Sequence, residues 1–437
     1  MNIFGTYDIR GVYPEELNEE IAYTLGKAFV VYLKCKRVVV GRDARLSSYK
    51  LFDALVTGLR DQGADVVDIG LCTTPMNYFA NSYYKFDASI MITASHLGKE
   101  SNGFKLCGRN SDFLSYHHGG KEIERLVLEN KFSTVKNKGK FFQQNIFEDY
   151  KMFILKKTKK TKLKVVVDAA NMMGALDGKI LSEVCNVKPL YFEIDGSFPN
   201  HAVNPLFPEN TVALRRAMVK SKADLGIAFD GDSDRVVFID EKGKTVAPDI
   251  LFAFLAFNTL EKKESVICDM RSSRIVEEKI KEKKGIPLFS LAGHTFIKES
   301  MKKYNAVLGG EKSGHYYFKK FYYSESPLLT SLIIIHILSK TKKPFSELLQ
   351  PYLKYASSKE INFSVINKKR TLKLVESYFK KQAEKIIHKD GISVYCKDFW
   401  FNLRESQTEP LLRLNAEART GSQLKELIKI IKTIIKV

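Results

Sequence analysis

The chain is poor in several things. It has 6 cysteines, 12 prolines and one tryptophan in 437 residues. Cys35, Cys72, Cys107, Cys185, Cys268 and Cys396 are scattered, and none forms a CxxC pair. That excludes a zinc ribbon or a disulfide framework and fits reduced cysteines in a cytoplasmic protein. Long apolar runs are absent too. The longest aliphatic stretch, SLIIIHIL (331–338), is far shorter than the ~20 residues needed to span a bilayer. The opening MNIFGTYDIRG carries early charges and no signal-type apolar core. We therefore expect a cytoplasmic chain with no membrane partner. A G-x-S-x-G nucleophile elbow is missing, which argues against serine-hydrolase chemistry. Zinc-finger spacing and aromatic-interleaved basic blocks are missing as well, so the net charge of +20 does not point to nucleic acid. The lysines instead fall in stretches such as KKTKKTKLK (156–164) and EEKIKEKKG (277–285), which read as linkers and solvated helix faces.

What remains is an ordinary globular composition, 44% hydrophobic and 27% charged, on a chain long enough for several domains. RVVVG (37–41), DVVDIG (65–70) and ASIMITA (88–94) read as strands, with a helix predicted over Ser48–Asp61. Their apolar runs are continuous, as expected of strands covered on both faces. The pattern recurs in LKVVVDAA (163–170) and ADLGIAFD (223–230), then in ESVICDM (264–270) and YNAVLGG (304–310). Each unit ends a buried strand in a polar loop: TASH, DGDSD, DMRSS and GGEKSGH. Open α/β sheets place ligands at such loops. The last stretch differs. DGISVYCKDFWFNLRES (390–406) reads as strand, turn, strand, and Leu424, Leu427, Ile428, Ile431 and Ile435 mark a final amphipathic helix. The fold class is α/β, with three similar mixed α/β sandwich domains and a smaller α+β domain. The expected boundaries are 1–145, 146–244, 245–357 and 358–437.

The sharpest chemical signal is FDGDSDRVVFID (229–240). Asp230, Asp232 and Asp234 alternate after an apolar strand, and such carboxylates repel unless a cation offsets them. Hard oxygen donors in a short loop suit Mg²⁺ or Ca²⁺. An EF-hand also begins D-x-D-x-D, but its sixth position needs Gly and here it is Arg235. Beside such a loop, Ser95 in MITASHLGKESNGFK (91–105) takes on meaning. Phosphorylated, it would add charge and an oxygen ligand, with His96 and Lys105 to support the phosphate. In GGEKSGHYYF (309–318), Glu311, Ser313 and His315 could bind sugar hydroxyls and move a proton. In LRESQTEPLLRLNAEA (403–418), Arg404, Ser406, Gln407 and Thr408 could hold a phosphate dianion. An ordinary polar turn remains the alternative for each of these two.

Taken in order, YDIRG, TASH…NGFK, DGDSDR, GGEKSGH and RESQTEP resemble the α-D-phosphohexomutases, most closely the phosphomannomutase/phosphoglucomutase branch. The resemblance covers nearly the whole chain and implies four domains around a central cleft. It implies a hexose 1-phosphate/6-phosphate mutase acting on mannose or glucose phosphates through a phosphoserine enzyme and a hexose 1,6-bisphosphate. A phosphoglucosamine mutase and a catalytically silent homologue are the alternatives. By resemblance Ser95 carries the phosphoryl group. Ser95, Asp230, Asp232 and Asp234 hold one Mg²⁺, and Arg235 stabilises the phosphoserine. Arg10, Lys105, His96 and His315 serve the reacting groups. Glu311, Ser313, Gly293 and His294 read the sugar, while Tyr7, Arg404, Ser406, Gln407 and Thr408 hold the other phosphate. The implied domain roles are phosphoserine-bearing, metal-binding, sugar-binding and phosphate-binding, in chain order. A hexose phosphate is the expected partner, a bisphosphate such as glucose 1,6-bisphosphate the expected activator, and a monomer or weak homodimer the expected state. Departures from the family pattern are Leu97-Gly98 after the histidine, Glu405 and Gln407 in the last motif, Lys312 in the third, and Met172-Met173 where glycines are usual.

Overall fold

The computed structural model describes residues 3–406 and 411–435. The chain forms two compact units, 1–246 with 313–346, and 247–312 with 347–437.

In the first unit a six-stranded sheet runs β1 (Ile9–Val12), β5 (Ser101–Cys107), β4 (Ala88–Ile92), β2 (Arg37–Arg42), β3 (Asp65–Leu71), β6 (Phe141–Gln143). Strand β2 lies parallel to β3 and β4, whereas β5 is antiparallel to both β4 and β1. Val38, Val39, Val40, Ile90 and Ile92 are fully buried, because helices cover both faces and leave no polar side to alternate with. Helices α1 (Glu19–Leu33), α2 (Ser48–Asp61) and α4 (Lys121–Glu129) supply Leu25, Phe29, Leu55, Leu59 and Ile123 to one core. Helix α3 (Thr74–Tyr83) starts at a Thr73 side-chain cap with Pro75 in its first turn, a strong helix-start signal.

After α5 (Phe147–Leu155) a second sheet follows in the order β11 (Thr245–Val246), β10 (Val236–Ile239), β9 (Leu225–Phe229), β7 (Lys164–Asp168), β8 (Asn186–Leu190), with α6 (Gly174–Ser182) and α7 (Val212–Ser221). Strands β9 and β10 are antiparallel and pair Phe229 with Val236, so residues 230–235 form a tight loop between two buried strands. An EF-hand would need helices there. Met172 and Met173 are fully buried with Ala44, Ala170 and Val203, filling the space with side chains instead of glycine.

The second unit opens with α8 (Pro248–Thr259). Strand β12 (Ser265–Asp269) then lies parallel to β13 (Ile286–Ser290) and β14 (Leu308–Gly310), with α9 (Arg274–Glu282) and α10 (His294–Lys303) between them. The third predicted strand starts later than expected, since Asn305 turns in the left-handed region and only Leu308–Gly310 pair. The chain re-enters the first unit through the hairpin β15 (Tyr316–Phe318) and β16 (Ser324–Glu325) and through α11 (Pro327–Ser339). The SLIIIHIL run sits inside α11, with Leu332, Ile334, Ile335 and Leu338 buried. No helix of the described residues is long and apolar enough to cross a membrane. Past α12 (Phe345–Leu349) comes an antiparallel sheet of order β17 (Ala356–Ser357), β22 (Leu411–Ala418), β21 (Phe399–Glu405), β20 (Ile392–Tyr395), β19 (Lys385–Ile387), with β18 (Ile361–Ser364) also on β22. Helices α13 (Lys368–Phe379) and α14 (Gly421–Ile435) pack on it through Val375, Phe379, Leu424, Leu427 and Ile431.

Candidate active site

The serine loop begins where β4 ends. Ser95 has φ +52°, a left-handed conformation that non-glycine residues rarely adopt. Its N–H donates to Thr93 Oγ1 at 2.9 Å. The serine is buried, at 1% exposure. Ser95 Oγ donates to Asp230 Oδ2 at 2.8 Å and lies 3.2 Å from His96 Nδ1. Burial, reinforced by Arg235 and Arg10, holds His96 far below the ordinary histidine range, so its ring is neutral.

The second sheet brings the acidic loop to this serine. Asp230, Asp232 and Asp234 are buried, and one oxygen of each lies within 4.8 Å of the others. Backbone N–H groups of Asp234 and Arg235 donate to Asp230 Oδ1, both at 3.1 Å. Helix α3 docks its start on the loop: Thr74 Oγ1 donates to Asp232 Oδ2 at 2.6 Å, and Thr74 N–H to the Asp232 carbonyl at 2.9 Å. Strand β5 adds the Lys105 ammonium, 2.7 Å from Asp232 Oδ2 and in contact with Asp234.

Burial alone would neutralise Lys105, but Asp232 and Asp234 outweigh it and keep the amine charged. Burial likewise opposes ionisation of Asp234, yet Lys105 and His315 hold it well below the carboxylate range. Asp230 goes the other way. Burial, then repulsion from Asp234 and Asp232, raises it to about 8. Asp232 Oδ1 is buried and has no hydrogen-bond partner among the described residues. An under-compensated carboxylate set with a buried unused oxygen is what a hard divalent cation requires. These residues fit a metal ion.

Around this centre, His315 Nε2 lies 3.2 Å from Asp234 Oδ1, and Ser313 Oγ lies 2.8 Å from His315 Nδ1. Arg235 Nε stands 3.9 Å from Asp230 and 4.0 Å from Asp234. Arg10 on β1 pairs with Asp8 at 2.7 Å and points an N–H at the Ala94 carbonyl at 3.4 Å. Tyr7 is half-buried on the segment before β1. The first unit thus gathers Ser95, His96, Lys105, the three aspartates, Arg10, Arg235, Ser313 and His315.

The third motif divides at this point, because Glu311 belongs to the second unit. Its Oε1 accepts from Gly293 N–H at 2.7 Å. Gly293 has φ +122° and ψ +137°, open to glycine and costly for other residues. Glu311 therefore ties down the loop that carries His294. In the same unit Arg404 donates to Glu360 at 3.1 Å and lies 4.0 Å from Asp390. Arg413 and Asn415 reach the same Glu360 carboxylate at 3.4 and 3.3 Å, and Lys312 donates to Asn415 at 3.3 Å. Glu405 follows Arg404 on β21, so it points to the opposite face. It is 42% exposed, 3.9 Å from Lys368, which removes it from the Arg404 cluster. Ser406 is buried and donates its N–H to Leu411. Gln407 and Thr408 lie outside the described residues.

Sequence reasoning missed several participants. Thr74 braces Asp232. Arg271, in the DMRSS loop, is held charged against burial by Asp269, with Glu311 and Glu360 adding to it. Asp43 and Arg45 sit directly under the serine loop. Their signal was available: GRDAR and DMRSS are polar loops at the ends of buried strands, the same rule that located the other motifs.

Known proteins share this architecture. Residues 1–134, 141–243 and 247–355 match "Phosphoglucomutase/phosphomannomutase, alpha/beta/alpha" domains I, II and III, and 360–433 match the C-terminal domain of the same family. A phosphomannomutase of Methanocaldococcus jannaschii is 39% identical over 99% of this chain and 97% of its own. The phosphohexose mutases of Xanthomonas campestris are 37% identical over 97% and 96%. A crystal structure of a phosphoglucomutase/phosphomannomutase family protein from Burkholderia thailandensis superposes with a TM-score of 0.93 at 31% identity, covering 99% of this chain and 97% of that one. With all four domains matched in order, the chain belongs to the phosphoglucomutase/phosphomannomutase family, an enzyme of the hexose phosphate mutase class.

Proposed function

We propose that this mutase interconverts hexose 1-phosphates and 6-phosphates of mannose or glucose, with Ser95 as the phosphoryl carrier. The observation that carries the reading is Ser95 Oγ at 2.8 Å from Asp230, inside a buried aspartate triad braced by Lys105. Mg²⁺ is the cation that best suits these three carboxylates and a phosphoserine oxygen, and it would supply charge neutralisation of the transferring phosphoryl group.

The protein's own part is positioning and electrostatics. In the first half-reaction the bond from phosphorus to Ser95 Oγ breaks and a bond to the free sugar hydroxyl forms. One proton moves, net, from that hydroxyl to the serine oxygen. His315, with Nε2 3.2 Å from Asp234 and Nδ1 2.8 Å from Ser313 Oγ, would take part in this proton transfer. Lys105 and Arg10 stay charged and offset the developing oxyanion. In the second half-reaction the other phosphate of the bisphosphate returns to Ser95. From the second unit, Glu311 with Gly293 and His294 would read sugar hydroxyls, and Arg404, Ser406, Gln407 and Thr408 the phosphate that does not react. The expected setting is the cytoplasm, as a monomer or weak homodimer, with glucose 1,6-bisphosphate or its equivalent as activator.

A coupled assay tests this: conversion of mannose 1-phosphate and of glucose 1-phosphate to the 6-phosphates, with Mg²⁺ and a trace of glucose 1,6-bisphosphate. Turnover abolished in Ser95→Ala supports the reading. Turnover retained in Ser95→Ala, or only with glucosamine 1-phosphate in the wild type, refutes it.

A further inference from the structure

Arg45, between β2 and α2, is the most deeply buried guanidinium of the described residues, at 0% exposure. A buried guanidinium is costly unless every donor is used. Here all are. Nε donates to Asp43 Oδ2 at 3.1 Å. One terminal nitrogen donates to the Ser101 carbonyl at 2.9 Å and also to that of Gly98. The other donates to the Ser95 carbonyl at 2.9 Å and to that of Leu97 at 2.8 Å. The fork has five N–H groups, and four of them end on the carbonyls of one seven-residue loop, the loop that carries Ser95.

Few other bonds reach this segment from outside: Tyr13 N–H donates to the Glu100 carbonyl at 2.8 Å, Ser101 pairs with Val12 on β1, and Ser95 Oγ donates to Asp230. Its internal ties are Leu97 N–H to Ala94, Ser101 N–H to Gly98 and Ser95 N–H to Thr93. Leu97 and Gly98 bring no side-chain bond, and Ser95 is held in a left-handed conformation. The other side of the Ser95 carbonyl is equally close-fitted. A Cβ on Gly231, between Asp230 and Asp232, would lie 2.4 Å from that oxygen. The loop after β8 also grips Arg45 itself, with the Phe198 ring 5.1 Å from its guanidinium carbon and Gly196 bridged to its backbone.

We propose that Arg45 is a positioning residue for phosphoryl transfer: it clamps residues 95–101 by four carbonyls and so holds Ser95 Oγ on the metal-binding triad. The proposal rests on Ser95 as phosphoryl carrier. Its planar fork is needed, because a lysine ammonium offers three donors from one point and cannot span the loop. A misplacement of about 1 Å at a reacting atom costs on the order of 10²-fold in rate.

The test uses the full chain with Mg²⁺ and compares Arg45→Lys, Arg45→Met and Phe198→Ala with wild type. Readouts are kcat, KM for the hexose 1-phosphate, thermal midpoint, and amide hydrogen exchange over 95–101. The expected result for Arg45→Lys is kcat lower by on the order of 10²-fold, KM within about threefold, and faster exchange confined to 95–101. A folded Arg45→Lys with wild-type kcat overturns the proposal, as does a loss confined to KM. Should neither Arg45 variant fold, Phe198→Ala decides: the ring is half-buried and removable, and a several-fold lower kcat at constant KM is expected, whereas unchanged kcat and exchange overturn the clamp. The exchange result reads the clamp independently of turnover, while Ser95→Ala reads the serine's role, so failure of one is distinguishable from failure of the other.

Discussion

The two units handle charge in opposite ways. In the first, Lys105, Asp230, Asp232 and Asp234 are sealed from water, and the aspartates are bonded from several elements at once: Lys105 on β5, Thr74 on α3, Ser95 on the serine loop, and His315. In the second, Arg404 is buried but its partner Glu360 is 32% exposed, and Arg413 is 24% exposed. Groups that act on a fixed atom need fixed positions. Under the proposed phosphate-binding role, Arg404 needs a partner that an anion can displace. The contrast is between a pre-braced centre and a neutralised but exchangeable one.

The largest effect is expected from Ser95→Ala, with turnover below about 10⁻³ of wild type in the coupled assay; substantial residual activity would move the chemistry away from the braced unit altogether. Next is the cation. Saturating Mg²⁺ at a hundred times its Kd should stabilise wild type by about 2.7 kcal/mol, read as a higher thermal midpoint, and Asp232→Asn should lose most of that gain along with activity. A chelator that leaves both midpoint and turnover unchanged would show the triad is satisfied by Lys105 alone. In the second unit, Glu360→Gln should lower KM for hexose 1-phosphate about fivefold, near 1 kcal/mol, by freeing Arg404 from an internal anion. A higher KM would instead mean that Glu360 orients Arg404, and that the second unit is as pre-braced as the first.

The smallest effect concerns pH. Asp177 on α6 accepts from Ser233 Oγ at 2.6 Å, and burial raises its pKa to about 7. The folded state therefore holds a proton there that the unfolded chain has lost, so stability falls as pH rises from about 4 to about 7. Asp177→Asn should flatten the dependence of thermal midpoint on pH across that window. An unchanged slope would show that the brace behind Ser233 carries charge at neutral pH.

Much of this was legible beforehand. The strand–polar-loop pattern marked TASH, DGDSD, DMRSS and GGEKSGH at the ends of strands, and the helix over Ser48–Asp61 fell where its apolar spacing predicted. The parallel strands were readable because burial on both faces leaves an unbroken apolar run. Burial of charge was not readable. Nothing local marks Lys105 as a core residue, since its partners lie 127 and 129 positions away. Arg45 was overlooked because nothing local in GRDAR distinguishes a buried arginine from a solvated one, and only the fold shows that its donors end on main-chain oxygens. Glu405, a departure in the last motif, lies across β21 from Arg404 by strand alternation.

Those long separations have a consequence for how the molecule comes into being. Ser95 meets Asp230 across 135 positions, Thr74 meets Asp232 across 158, and His315 joins 81 positions later still. A chain emerging amino end first builds the first sheet long before the acidic loop is made, so Lys105 waits without its counter-charges. Closing such loops is entropically slow compared with local helix formation. The buried serine–aspartate centre is thus among the last features of the first unit to be completed, and its assembly reports on maturation of that whole unit rather than on any one of its sheets.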